Sequence, residues 1–196
     1  MKIRSNVLVL AIATLGFVAT ASAAVETYKI DPVHSSVSFS LRHLVSKFSA
    51  SFTKVTGAVA YDATAPEKSS VEATVAIASV NSGNETRNGH LLDTQHNFFE
   101  VAKFPTATFT STAWKKTGDD TFDVTGDLTI KGVTKPVVFK VSLLGTGPGM
   151  GGSTVSGWEA TTVIKKSDFG VNGPAMLGKA LGDEVTLTIG IEAGTK

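Results

Sequence analysis

Thr121-Phe122-Asp123-Val124-Thr125-Gly126-Asp127-Leu128-Thr129-Ile130 is the stretch from which the rest of the chain can be read. Phe122, Val124, Gly126, Leu128 and Ile130 occupy every second position, with polar residues between them. Successive side chains of a β-strand point to opposite faces, so this spacing gives the strand one apolar and one polar face. Lys131-Gly132-Val133-Thr134 reads as a turn, and Val137, Phe139, Val141 and Leu143 resume the alternation beyond it. Upstream, Thr117-Gly118-Asp119-Asp120 marks a hairpin to the threonine-rich segment Thr106–Trp114, which carries Phe109. The same period recurs in Val37/Phe39/Leu41, Val71/Ala73/Val75/Ile77, Trp158/Ala160/Thr162/Ile164 and Val185/Leu187/Ile189/Ile191. One face towards a core and one towards water is the pattern of an antiparallel sheet.

Two segments depart from this rhythm. Gly145 to Gly152 holds five glycines and Pro148, and reads as an exposed, mobile loop. Between Asn81 and Phe104 the alternation stops. Ser82, followed three residues later by Glu85, reads as a capping box opening a short helix through Arg87, His90, Leu91 and Leu92. A second short turn is expected over residues 95–100. Brief helical pieces inserted in an antiparallel meander suit the end of a barrel.

The N-terminus places the protein outside the cytoplasm. Lys2 and Arg4 precede an apolar run from Val7 to Ala21, then the small-x-small site Ala21-Ser22-Ala23. This is the order of a secretory leader, too short for a confident membrane span. Removing residues 1–23 leaves 173, a size suited to one all-β domain, residues 24–196. The expected location is the periplasm of a two-membrane bacterium, or secretion. With no cysteine in the chain, disulfides, thiolate metal sites and cysteine nucleophiles are excluded. Without Lys2 and Arg4 the chain carries 16 basic and 17 acidic residues, with no long run of one sign. Nucleic acid wants a basic stripe, and a membrane-surface binder a polybasic cluster; neither is present. No membrane span is expected once the leader is gone.

The interior is the informative part. Ala50, Gly57, Ala58, Ala60, Ala73, Ala76, Ala78, Ala107, Gly126 and Ala160 stand at positions where a filled barrel would want bulk. An eight-stranded barrel is just wide enough for its side chains or one slim ligand. Small inward residues leave a narrow apolar bore suited to an extended hydrocarbon. The alternative is a two-sheet sandwich with these residues facing out.

The order of local motifs resembles the YceI-like family of exported polyisoprenoid-binding proteins. Those motifs are Asp31-Pro32-Val33-His34-Ser35 leading to Val37 and Phe39, then His43-Leu44, then Arg87-Asn88-Gly89-His90-Leu91. Phe98-Phe99, Phe104-Pro105 and Phe109-Thr110-Ser111 come next, then Gly126 to Ile130 and Gly132 to Val137. Lys166-Ser167-Asp168-Phe169-Gly170 and a last strand from Val185 to Glu192 complete the series. The resemblance implies an all-β, eight-stranded antiparallel extended lipocalin-like barrel with one or two short helices. It also implies a tunnel for an isoprenoid quinone, a polyprenyl phosphate or a similar lipid, and no cofactor. The family usually has an acid after the arginine of its Arg-x-x-His-Leu motif, here Asn88, and tends to have an arginine where Lys166 stands.

The expected function is therefore non-catalytic binding, transport or storage of a long-chain isoprenoid or related amphiphile. Arg87 and His90 are the best polar candidates for its head group, because a guanidinium fork suits phosphate or quinone oxygens. The competing role for Arg87 is an ion pair with Glu85, Asp93 or Asp168. The candidate apolar contacts are Phe39, Leu41, Phe52, Val75, Ile77, Leu91, Phe98, Phe99, Phe109, Leu128, Phe139, Trp158 and Phe169. His43 joins them at a strand end, and Met176 with Leu177 forms a flexible lip. Lys165-Lys166 reads as solvated edge charge. His34, His43, His90 and His96, with Asp93 and Glu100, would need to converge to hold zinc, and no metal is expected. Ser35, His90 and Asp93 would need to converge for a hydrolase acting on a lipid in the same cavity, and nothing in their spacing asks for that. A secreted interaction module with a filled core is the third reading. Pairing of two barrels is compatible with the sequence but not required by it.

Overall fold

The computed structural model describes residues 25–195. The expected leader, residues 1–23, lies outside them. The elements in chain order are β1 (Glu26–Ile30), β2 (Ser36–His43), β3 (Ser46–Phe52), β4 (Val55–Tyr61), β5 (Ser70–Ala76), β6 (Val80–Asn81), α1 (Glu85–Leu92), β7 (Thr106–Gly118), β8 (Thr121–Ile130), β9 (Val133–Pro148), β10 (Thr154–Lys165) and β11 (Leu181–Gly194). Every pairing is antiparallel. The first six segments make three long runs, β1/β2, β3/β4 and β5/β6, the first two broken near the middle and the third near its end. With β7 to β11 they form a meander of eight runs.

The breaks have local causes. Pro32 has no N–H to give a ladder, and Asp31 Oδ1 accepts from the Val33 N–H at 2.7 Å, turning the chain between β1 and β2. Across from it, the N–H groups of Thr53 and Lys54 leave the ladder for the Ser79 carbonyl (3.2 Å) and hydroxyl (3.1 Å). The last run, β11, pairs with β10 along one edge, and with β2 and then β1 along the other. The sheet therefore closes into a barrel with no long open edge, and the sandwich alternative is set aside.

The turns on either side of β8 fall where the sequence places them. Asp120 and Lys131 take left-handed backbone (φ 56° and 51°), and Gly132 follows at 75°. Residues 145–152 differ from expectation. Gly145 and Gly147 are strand residues of β9, laddered to Gly157 and Val155 of β10. A neighbouring strand supplies the backbone partners that glycine itself cannot enforce, so only residues 149–153 turn. The helix start also differs: Asn84, not Ser82, caps α1, its side chain accepting from the Arg87 N–H at 2.9 Å. Residues 94–97 form turns rather than a second helix.

The two ends of the barrel are unlike. At one end Tyr28, Tyr61, Trp114, Phe122 and Trp158 make a buried aromatic floor. Tyr61 and Trp158 meet edge to face at 5.0 Å, Trp114 and Trp158 at 5.9 Å. Trp158 Nε1 donates to Ser156 Oγ at 2.9 Å, fixing the floor to the wall. At the other end α1, the residues between α1 and β7, and the β10–β11 connection surround an opening.

Candidate functional site

Two apolar spaces lie inside the barrel and share Phe52, Phe99, Ile130 and Leu187 as walls. The upper one, at the open end, has a volume of about 550 Å³. The lower one, resting on Trp114 and Trp158 of the floor, holds about 150 Å³. Both belong to a blind-ended sleeve of a size ordinary for small-molecule sites.

Period-two alternation builds the walls. In β2, Val37, Phe39 and Leu41 are buried while the serines between them are half-buried. Across the β2–β3 ladder, Leu41 stands opposite Phe48, and the Phe39 and Phe48 rings meet edge to face at 5.9 Å. Small residues hold the lower space open: Ala73, Ala107 and Ala160 line it. Gly126 serves another purpose. A Cβ there would come within 2.5 Å of the Phe109 ring, which lies over the glycine and packs edge to face on Phe139 at 5.0 Å. The small residues expected inward are thus of three kinds: some leave space, some admit a neighbouring ring, and others do not face the bore, since Ala78 is exposed and Ala58 and Ala60 lie on the face of β4 opposite the buried Val59 and Tyr61.

Of the predicted contacts, Phe39, Leu41, His43, Phe52, Arg87, His90, Leu91, Phe98, Phe99 and Phe169 line the upper space. Val75, Ile77, Phe109, Leu128, Phe139 and Trp158 line the lower one, as do Phe52 and Phe99. Met176 is placed elsewhere: it is 87% exposed on a short turn outside the opening, and Leu177 takes the lining position. Sequence reasoning missed Lys47, Phe48 and Lys166. Phe48 was legible, since it continues the inward alternation of β3 that ends at Phe52. Lys166 was not: it follows β10 directly, but a single 3-10 turn swings it to the opening, where it donates to the Asn172 carbonyl at 3.2 Å.

The opening is polar and one-signed. Lys47, Arg87 and Lys166 line it with His43, His90 and His96, and no carboxylate stands among the described lining residues. Arg87 makes none of the ion pairs considered for it. Its Nε donates to Ser82 Oγ at 3.0 Å and its Nη2 to the Ser82 carbonyl, and the guanidinium lies 5.0 Å from the Phe48 ring centroid. Asn88 is turned away from the cavity, accepting from the Ser82 N–H (2.9 Å) and hydroxyl (2.7 Å), so the family's usual acid position here anchors the helix. His90 stacks on His96 with centroids 4.1 Å apart. His96 Nδ1 sits 2.7 Å from Asp93 Oδ2. The His96 backbone N–H, and then its ring, hold the Asp93 carboxyl below the usual carboxylate range.

A buried ion pair braces the mouth. Lys131 Nζ lies 2.7 Å from Glu100 Oε1, with both side chains almost covered, and donates to Asn97 Oδ1 (2.7 Å) and the Gly170 carbonyl (3.0 Å). This one ammonium ties the β8–β9 turn to the chain on both sides of the opening. Lys131 and then Lys103 lower the Glu100 carboxyl below its ordinary value. Beside this brace Phe98 packs on Gly173, where a Cβ would stand 2.5 Å from the ring.

Three of the four histidines, His43, His90 and His96, line the mouth, and His34 stands apart. Among the described residues, the one group whose ligating atoms lie within 4.8 Å of one another is Asp31, His34 and Glu192, away from the cavity at the β1–β2 break. There His34 Nδ1 is 2.8 Å from Asp31 and 3.7 Å from Glu192, an exposed ion pair. Ser35 is likewise apart from His90 and Asp93: its hydroxyl is engaged by the backbone of Glu192.

The comparisons with known proteins agree with this architecture. A family model described as the YceI-like domain matches residues 28–193, nearly the whole described barrel. The chain belongs to the YceI-like family. A UPF0312 protein of Azotobacter vinelandii is 40% identical over 163 residues, covering 81% of each chain. Protein YceI of Salmonella arizonae is 38% identical over 195 residues, covering 96% of this YceI-like chain and 97% of the relative. Among solved structures, BcnA of Burkholderia cenocepacia superimposes with a TM-score of 0.75 at 25% identity, covering 84% of this chain and 99% of its own. A polyisoprenoid binding domain from Saccharophagus degradans, implicated in plant cell wall breakdown, shares the fold with a TM-score of 0.63 at 17% identity, covering 85% and 97%. No helix of the described residues is long and apolar enough to cross a membrane.

Proposed function

We propose that this YceI-like protein is a non-catalytic carrier or store for a long-chain isoprenoid or a closely related amphiphile, working in the periplasm or outside the cell. The observation that carries this reading is the sleeve itself: two adjoining apolar spaces that share four wall residues, floored by aromatics and opening onto a ring of cations and imidazoles. A linear hydrocarbon entering it leaves water along its whole length, at a gain of roughly 0.8 kcal/mol for each methylene buried. The loss of chain and overall motion takes back part of that gain, leaving a reversible complex. The polar head stays at the mouth beside Arg87, Lys166 and His90. The same fold serves, in the Saccharophagus protein, a domain described as polyisoprenoid binding, which supports a prenyl tail over other slim ligands. On this reading the lipid is cargo rather than a cofactor, and the bound state needs no bond made or broken. Native mass spectrometry of the protein purified from its own host tests this directly. A co-purified lipid of defined mass, with a mass spacing of whole isoprene units between bound species, is the expected result. Protein that stays bare under abundant prenyl lipid overturns the reading.

A further inference from the structure

We infer that the mouth of the barrel docks on an anionic lipid bilayer through the hairpin Leu44–Val45 and the neighbouring turn that carries Met176. The inference rests on the carrier reading and adds where the cargo is collected or delivered.

The first observation is a turn built against its own chemistry. Two-residue hairpin connections favour glycine, asparagine and aspartate, because the backbone enters the left-handed region. The turns on either side of β8 place Asp120 and Gly132 at left-handed positions, and the one departure there, Lys131, is polar and donates to Asn97 Oδ1 and the Gly170 carbonyl. The β2–β3 turn departs with apolar residues. Leu44 is left-handed at φ 50°, and it and Val45 are 58% and 103% exposed. A bulky residue here carries backbone strain, and both residues leave apolar surface in water. Val45, at full exposure, packs on nothing in its own chain. Departures from local rules of this kind concentrate at functional sites.

The second observation is what stands beside the turn. The Leu44 N–H donates to the Ala180 carbonyl at 2.7 Å, which sets the hairpin against the β10–β11 connection. Met176, 87% exposed, projects from the short turn Ala175–Leu177 in that connection. Three large apolar side chains thus stand free on one rim. An apolar patch edged by polar residues marks a protein or membrane contact.

The third observation is charge, and it selects the partner: no run of the sequence is polybasic, but folding sets Arg42 opposite Lys47 on the hairpin and brings the chain beside Lys179 against it. Residues 42–47 and 171–181 contain Arg42, Lys47 and Lys179 and no carboxylate. Arg42 Nη1 donates to the Leu44 carbonyl at 3.0 Å, fixing a guanidinium at the root of the lip. The flanking carboxylates are Asp168, Asp183 and the exposed Glu184, Asp183 being held by the Ser167 N–H (3.0 Å) and hydroxyl (2.8 Å), with Glu85 across the opening on α1. Apolar tips ringed by cations match an anionic headgroup layer over acyl chains. A second copy of the same rim would oppose cation to cation. The placement also has a use: His43, Lys47, Leu177 and Leu181, beside these tips, line the cavity, so a docked mouth would let a prenyl tail pass from bilayer to sleeve without crossing water.

The test uses the barrel without its leader, residues 24–196, and sedimentation with two vesicle types: equal parts phosphatidylethanolamine and phosphatidylglycerol, and phosphatidylcholine alone. Wild type is expected to pellet with the anionic vesicles, to be released by salt, and to ignore phosphatidylcholine. The double variant V45D/M176D, and separately K179E, should lose about tenfold in partitioning. None of these residues lines the cavity, so both variants should still load a prenyl lipid from detergent micelles and keep the wild-type melting temperature. Equal pelleting of wild type and V45D/M176D overturns the inference. So does a wild type that ignores both vesicles, including one that gains lipid only when a second protein is supplied. A protein that pellets as expected yet never loads lipid from micelles overturns the carrier reading while leaving the docking surface standing.

Discussion

Leucine at Ala107 and at Ala160 should shorten the sleeve and stabilise the empty barrel together, and the coupling of those two effects tests the whole structural argument. Both alanines line the lower space of about 150 Å³ between the shared wall and the aromatic floor. Each substitution adds three carbons to a dry apolar space, a gross gain of about 2.4 kcal/mol at roughly 0.8 kcal/mol per methylene. Fixing a leucine rotamer takes back about 0.5–1 kcal/mol. The remaining ~1.5 kcal/mol should raise the melting temperature of the lipid-free protein by about 3–6 °C per substitution. The ligand feels the opposite sign. Six added carbons displace about as many carbons of a tail that reaches the floor, so its affinity should fall by a hundredfold or more. A tail one or two isoprene units shorter should bind as before. Calorimetric melts of lipid-free protein, and native mass spectrometry across a series of prenyl lipids of increasing length, read the two effects separately. The reasoning is refuted if the double variant accepts long and short tails alike. It is equally refuted if the empty barrel melts several degrees lower, because the leucines would then be forced into occupied volume.

Further outcomes are expected around three side chains, Arg87, Lys131 and His34. Arg87→Met should leave the fold intact and weaken a prenyl lipid with a phosphate head about tenfold, while a prenyl alcohol of equal length changes little; competition binding with the two heads measures the split. Lys131→Met removes the main partner of Glu100, so amide exchange should accelerate over residues 94–104 and 166–173 while β7 and β8 keep their protection. The folded Glu100 carboxyl titrates below its ordinary value, so its stabilisation is present above the unfolded pKa and lost as pH falls through the folded one; acid melts of Lys131→Met should show less of that loss. His34 is raised above 6.5 by its hydrogen bond to Asp31, then by the Asp31 and Glu192 charges, so its NMR titration should move down in Asp31→Asn. The stabilisation from His34 is complete below the unfolded pKa and lost as pH rises through the folded value, and His34→Gln should flatten stability over that alkaline step.

The strands were legible because burial on one face writes itself into the sequence at period two. That is why β2, β8, β10 and β11 could be read from Phe39, Val124, Trp158 and Leu187 alone. The turns around β8 were legible for a different reason: left-handed backbone narrows the residue choice. What escaped was set by partners distant in sequence. Gly145 and Gly147 look like a loop until β10 lies alongside. The cap on α1 passed to Asn84 because Ser82 is engaged with Asn88 and Arg87. In the site, the apolar lining followed from alternation. Lys166 and the Lys131–Glu100 brace did not, since a lysine in a turn has no signature separating a solvated charge from a buried one. Met176 and Leu177 are adjacent in an irregular segment, where no period tells the outward residue from the inward one.

The aromatic floor carries one consequence for traffic. A vessel sealed at its base has a single doorway, so whatever enters tail-first must back out by the same route, with the head group leading. An occupied barrel cannot admit a newcomer from behind. On the proposed carrier reading exchange is then strictly sequential, its pace set by departure of the resident molecule, and any acceptor must grip the head before the tail has left shelter.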